Sequence, residues 1–246
     1  IDTATTVFNL LDQATFQPMM RLVYHLGTKQ IDTLYAYFAF NANKLVMIIV
    51  SLASAIAVTV VPILSESLAS HNMRNIRKQL EDSIILFLFI MIPGALGMAA
   101  VAQPLNTLFY SYDQIGTLIL QISAFTAIAL GFFTVISALM QGLSRNRDII
   151  RYYLIGLLVK IVIQLPCIYF LSTAGPLVAT AIGMMVASLM AMYDLEVNFG
   201  IRYVKLLPKI NRILVYSILT YVTARLVVYG LNFVLNEHSK TQSFLI

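Results

Sequence analysis

An all-α fold that crosses a membrane several times is predicted by three features of this chain: apolar stretches of membrane length, almost no charge within them, and basic residues gathered in alternate connections. Between Lys44 and Glu66, Asp82 and Asp113, Asp113 and Arg145, and Lys160 and Asp194 there is no Asp, Glu, Lys or Arg. About 20 apolar residues in a helix span the hydrocarbon core of a bilayer, so each gap can hold a crossing. Hydrophobic residues make up 59% of the chain and charged ones 11%, and that charged share is about half of what a soluble domain carries. The net charge of +5 does not point to nucleic acid, because the basic residues are scattered through short loops. It suits a chain whose loops are oriented by charge.

Seven helices follow in order. The first, 2–24, is an apolar helix with a polar stripe: Thr5, Asn9, Gln13 and Gln17 recur every four residues, and Asp12 lies beside that line. Residues four apart share a helix face, so the stripe lines either a water-filled pathway or a hydrogen-bonded seam between helices. The second helix, 36–68, has small residues at Ser51/Ala55 and Ala53/Ala57, a spacing that lets membrane helices approach closely. The third, 82–109, contains Pro93 with Gly94 and Gly97 and is expected to bend there, since proline removes a backbone donor. The fourth runs over 114–143 and the fifth over 149–171. The tight turn 172–176, Ser-Thr-Ala-Gly-Pro, ends the fifth and starts the sixth, 175–194. The seventh covers 211–236.

The loop before the third helix carries Arg74, Arg77 and Lys78, the loop before the fifth Arg145, Arg147 and Arg151, and the loop before the seventh Arg202, Lys205, Lys209 and Arg212. The intervening loops hold only Arg21 and Lys29. By the positive-inside rule, loops 69–82, 142–151 and 195–212 are cytoplasmic and the first helix runs outward. No signal-peptide pattern is visible at the start. The chain opens on Ile in a helical pattern and closes on Ser243-Phe-Leu-Ile, which reads as the opening of a further apolar segment. Both ends therefore read as cut from a longer protein.

Charge inside the spans marks candidate function. A central Asp, Lys or Arg costs about 2.5–3.5 kcal/mol on insertion scales, so such groups face a bundle interior or a wet cavity. Asp12, Lys160 and Arg225 qualify, and Lys44 lies near the outer end of the second helix. Lys160 and Gln164 are one turn apart on one face; Lys160 can pair with Asp12, contact a substrate phosphate, or snorkel to an interface. Arg225 with Tyr221 and Tyr229 makes an amphipathic strip, or else a snorkelling or structural cation. Cys167 stands alone, which excludes an intrachain disulfide. His25, His71 and His238 are scattered near loops, with no metal-ligand spacing and no triad partners. The acidic residues Glu81, Asp82, Asp194 and Glu196 sit at helix ends and read as solvated caps. No metal, cofactor or catalytic residue is expected, and the chain is not read as an enzyme.

Two stretches resemble a known family. Asn41-Ala-Asn-Lys44 through Val61-Pro-Ile-Leu-Ser-Glu-Ser-Leu-Ala-Ser-His-Asn72 is similar to a helix and its following basic linker in the MOP exporter superfamily. The match is best in the branch of polysaccharide flippases and MurJ-like lipid II flippases. Met140-Gln-Gly-Leu-Ser-Arg-Asn-Arg147, followed by Leu154–Lys160 and Gly175–Gly183, is similar to the region where one flippase helix ends in Gln-Gly and the next hairpin turns on glycine.

The resemblance implies a MATE-like C-terminal six-helix lobe over 1–196, its helices equivalent to the seventh through twelfth. Residues 197–246 would then hold a cytoplasmic loop, the thirteenth helix and the start of another, with an N-terminal lobe of the same protein as partner. It also implies a cationic cavity residue at Lys44, within Ala42-Asn-Lys-Leu45, where flippases carry Ala-Asp-Arg-Leu-like sequences. Lysine there is a point charge in place of a bidentate guanidinium. The function implied is alternating-access movement of an undecaprenyl-pyrophosphate-linked saccharide, lipid II or a polysaccharide repeat unit, across the bacterial cytoplasmic membrane. Lys44, and with it Lys160, would meet the pyrophosphate. Asp12, Asn9, Gln13, Gln17 and Gln164 would line the sugar path, and Arg225, Tyr221 and Tyr229 a groove for the lipid tail. Membrane lipids are further partners and nucleic acid is none. The alternatives are a cation-coupled multidrug exporter of MATE type, a membrane-embedded enzyme of envelope synthesis, and a non-transporting scaffold.

Overall fold

The computed structural model describes residues 2–25 and 27–231, with side chains from Thr6 onward. The described residues are helical almost throughout, without strands. Among the described residues, five helical segments are long and apolar enough to cross a membrane: Thr28–Ala69, Met73–Ala100, Gln114–Gly142, Asn146–Phe199 and Leu207–Leu231. The fourth of these is two helices. α7 (Asn146–Leu171) and α8 (Gly175–Phe199) are joined by a single 3₁₀ turn, Ser172–Ala174. Helix α1 (Asp2–Tyr24) precedes them all and is long enough to span, but its polar stripe makes it the least apolar of the long helices.

The second span begins earlier than its apolar pattern. α2 (Thr28–Ala36) continues through a π-helical stretch, Tyr37–Ala42, into α3 (Asn43–Ala69) without a break. Residues 28–36 carry too much polarity to register as membrane helix, yet nothing in them stops one, and Gly27 is the N-cap. The third predicted helix is likewise displaced. α4 (Met73–Ala100) starts nine residues sooner, capped by the Asn72 side chain accepting from the Asn75 amide at 3.0 Å. Val101 then separates it from the short α5 (Ala102–Phe109). The basic linker is thus the first turns of α4 rather than a loop, and Pro93 lies inside that helix. α6 (Gln114–Gly142) is capped by Asp113, whose carboxylate accepts from the Gly116 amide at 2.6 Å. α9 (Leu207–Leu231) closes the described chain, starting four residues before the predicted seventh helix; the end of that helix at 236 and the further apolar segment from Ser243 lie outside the described residues.

α6 is the axis of the bundle. Most of its second half is buried, and its neighbours are α3, α4 and α8. Gly131 sets that contact: a Cβ there would stand 2.7 Å from the Met91 side chain and 3.1 Å from that of Ala53. One continuous core joins these helices through Ile49, Ala53, Phe87, Phe133, Leu139 and Met184, while a second, around Phe16, Ile31 and Phe38, seats α1 and α2. Exposed apolar side chains ring the outside, among them Leu158, Val162 and Phe170 on α7 and Val215, Leu226 and Val227 on α9. In water that surface would drive aggregation; in a bilayer it is the lipid-facing wall.

The three basic connections come together at one end. Arg77 of α4 donates to the Phe199 carbonyl at 2.7 Å. Gly200 ends α8 in the left-handed conformation, φ 69°, as glycine does at helix C-termini. Arg145, before α7, pairs with Asp194 of α8 at 2.8 Å and with Asp148 at 2.8 Å. Asp194, expected as a solvated cap, is 8% exposed. The guanidinium and the Asn198 amide, at 2.8 Å, offset its burial. At the opposite end Tyr24 donates to the Ile168 and Tyr169 carbonyls, 3.1 and 2.9 Å, and Tyr110 to that of Asn41, 3.2 Å.

Candidate functional site

The polar stripe of α1 divides between two environments. Asn9, Asp12 and Gln13 border a cavity of about 310 Å³ enclosed by α1, the π-helical stretch, α3, α6 and α8. Tyr35, Asn43, Ser123, Thr126 and Thr180 bring polar atoms from the other walls. Ser123 is buried, and its hydroxyl has no hydrogen-bond partner among the described residues. Phe38 and Phe40 supply apolar surface from the π-helical stretch. π-Helical turns concentrate at functional sites because they shift the register of a helix face. Here the shift falls one residue before Asn43, a lining residue, and two before Lys44. Gln17, the last member of the stripe, lies outside the cavity: its amide donates to Asp32 at 2.8 Å, tying α1 to α2. Asn9 and Gln13 of the stripe thus border the cavity and Gln17 forms a seam between helices, while the side chain of Thr5 lies outside the described residues.

From Asp12 in the cavity wall a buried ion pair runs back to Lys160. Lys160 is fully buried, and its ammonium donates to an Asp12 oxygen at 2.9 Å and to the Phe8 carbonyl at 2.8 Å. The Phe8 ring lies 4.6 Å from the charge, within cation–π range. Gln164 donates to the same Asp12 oxygen at 3.0 Å and to the Thr15 hydroxyl at 2.9 Å, and Thr180 donates to the other carboxylate oxygen at 3.4 Å. Three helices, α1, α7 and α8, thus meet on one carboxylate.

The hairpin that buries Lys160 depends on two glycines. Gly156 and Gly183 face each other so closely that a Cβ on Gly183 would stand 2.6 Å from the Gly156 carbonyl oxygen and 3.1 Å from the Lys160 Cβ. Side chains there would pry α7 from α8 and open the lysine to lipid.

Lys160 and Gln164 therefore do not line the cavity, contrary to the expectation that Lys160 meets a substrate phosphate. Of the three roles the sequence allows, it adopts the pair with Asp12, since a lone cation at that depth would go uncompensated. Lys44 stands in the first turn of α3, solvent-exposed, next in sequence to the lining residue Asn43, and forms no ion pair among the described residues. Arg225 reaches the Ala100 carbonyl at 3.4 Å, joining α9 to the end of α4. The open groove beside α9, about 390 Å³, is lined instead by Phe89, Pro93, Arg212, Tyr216 and Ser217. Arg225, Tyr221 and Tyr229 do not border it, so the strip expected there belongs to a different stretch of the helix. Ser123 and Thr126 went unremarked in the sequence because single small polar residues in apolar helices carry no spacing signal, and Asn43 and Thr180 entered only as parts of the family-like stretches.

Comparisons with known proteins agree with this architecture. The chain is 29% identical over 234 residues to the lipid II flippase MurJ of Bacillus subtilis (strain 168), covering 94% of this chain and 43% of that protein. Its fold matches a solved structure of the lipid II flippase MurJ in an inward closed conformation, with a TM-score of 0.63 at 16% identity, over 93% of this chain and 52% of that one. The chain thus spans about half the length of the relatives it matches. The MatE family model matches residues 6–165, which takes in α1 through most of α7 and with them most of the cavity wall: the chain belongs to the MatE family.

Proposed function

We propose that this chain forms one lobe of a plasma-membrane flippase for a polyprenyl-pyrophosphate-linked saccharide, lipid II being the foremost candidate. The observation that carries the proposal is the cavity between α1, α3, α6 and α8, in which polar side chains from several helices converge on a largely apolar lining, within a bundle whose outer surface is apolar. Asn9, Gln13, Asn43 and Thr126 offer neutral donors and acceptors, which suit hydroxyls and amides of a sugar headgroup better than they suit a flat apolar drug. Lys44 is an exposed cation next in sequence to Asn43 of this wall and would meet a pyrophosphate as a point charge. Transport would proceed by rocking this lobe against a second one, so that the cavity opens alternately to either side. The 29% identity to a lipid II flippase supports that substrate class. The fold likeness supports the architecture alone.

The MatE family match fits a cation-coupled drug exporter only coarsely. That alternative asks for a free carboxylate in the cavity, and Asp12 is the acidic residue among those lining it. Its pairing with Lys160 weighs against it.

The deciding experiment is mass spectrometry of polyprenyl-linked intermediates in cells depleted of the full-length protein. Accumulated lipid II supports the proposal in its specific form, and accumulation of another lipid-linked oligosaccharide reassigns the substrate within it. If neither accumulates, and cells instead lose cation-dependent dye efflux, the exporter reading replaces it.

A further inference from the structure

Asp12 has the surroundings of a cation site in which the cation is already part of the chain. Its carboxylate lies at the cavity wall, bonded by the Thr180 hydroxyl and the Gln164 amide, and it shares the Lys160 ammonium with the Phe8 carbonyl, so that groups from three helices surround it. Oxygen ligands of this kind, one anionic and the others neutral, are what a hard monovalent cation takes. The position such an ion would occupy, between the carboxylate and the Phe8 carbonyl, is held by the Lys160 ammonium at 2.9 and 2.8 Å. Lys160 is fully buried and held in place by the Gly156–Gly183 contact.

We infer that Lys160 acts as a tethered cation: it fills a latent monovalent-cation site at Asp12, so that this lobe binds no Na⁺ there, and removing the ammonium turns the same residues into a Na⁺ site. The inference concerns an ion and this lobe's own groups, and does not depend on what the cavity carries. An arriving Na⁺ would face a like charge at contact distance in a medium of low dielectric, where repulsion is strong. With the ammonium gone, Asp12 is left as a buried anion whose burial penalty only a cation or a proton relieves. The Gln164 amide, rotated about its last bond, can then offer its carbonyl oxygen in place of its NH₂.

The test is the thermal unfolding midpoint of the intact protein in detergent, in NaCl against choline chloride at equal ionic strength. The wild-type midpoint is expected to be the same in both salts. Lys160→Ala, which opens space at the site, is expected to have a lower midpoint in choline and to recover on the order of 2–4 °C in saturating Na⁺. Adding Asp12→Asn to that variant should abolish the recovery. Lys160→Gln, which keeps a hydrogen-bonding group without the charge, carries the same comparison if the alanine variant does not fold. Na⁺-specific stabilisation of the wild type that Asp12→Asn removes would overturn the inference. So would a folded, charge-deleted variant whose midpoint ignores Na⁺.

Discussion

Asp12 and Lys160 illustrate how a residue's partner decides whether its charge is functional surface or internal structure. Either alone in a span is costly. Together, with the Phe8 carbonyl, Gln164 and Thr180 around them, they form a closed set. Deleting one partner of a buried pair leaves the other charge uncompensated, at about 3–5 kcal/mol, whereas replacing both by apolar groups is often neutral. Asp12→Asn is therefore expected to be strongly destabilised in denaturant unfolding. The double variant Asp12→Leu with Lys160→Met should recover most of that loss. A double variant as unstable as the sum of its singles would mean that the two groups do not act as a pair. Lys44 is the contrary case. It is exposed and forms no ion pair among the described residues, so Lys44→Ala should leave stability within about 0.5 kcal/mol. In a complementation assay with normal expression the same variant should abolish transport. Full complementation would remove Lys44 from the substrate path.

At the scale of elements, the α7–α8 hairpin is the most exacting part of the fold. Gly156 and Gly183 allow backbone-to-backbone contact, the means by which membrane helices pack when lipid offers no hydrophobic driving force. Gly183→Leu cannot be accommodated by a side-chain shift, because the obstacle is the Gly156 carbonyl. Overpacking of this kind costs about 1–3 kcal/mol or more, and it should also raise the solvent and lipid accessibility of Lys160, read by hydrogen exchange along α7. Gly200 is a milder case. Its φ of 69° costs an L-residue roughly 1–2 kcal/mol, so Gly200→Ala should lower the unfolding midpoint by a few degrees without changing transport. The π-helical stretch Tyr37–Ala42 was not legible in advance, since nothing in Tyr-Phe-Ala-Phe-Asn-Ala distinguishes it from ordinary helix. Its register shift arises where α2, seated against α1 by the Gln17–Asp32 contact, runs on into α3, which packs on α6.

For the whole molecule, the gathering of Arg77, Arg145 and the loop after Phe199 at one end fixes three connections on one side of the bilayer. Ser144→Cys and Asn72→Cys, in a background with Cys167 replaced, should be protected from an impermeant maleimide in intact cells. Tyr112→Cys, in the opposite connection, should be labelled. The reverse pattern would invert the topology and with it the direction assigned to α1. These features were already determined by the sequence: the order of the long apolar helices, the alternation of the basic loops, and the polar face of α1. Each follows from local composition set against the thickness and polarity of a bilayer. What only the tertiary structure decided was which polar groups meet. Lys160 lies 148 residues from Asp12 along the chain, and its choice between substrate, interface and ion pair depends on where a distant helix places one carboxylate. Burial is a property of the packed bundle, and the cost of an unpaired charge within it selects the partner.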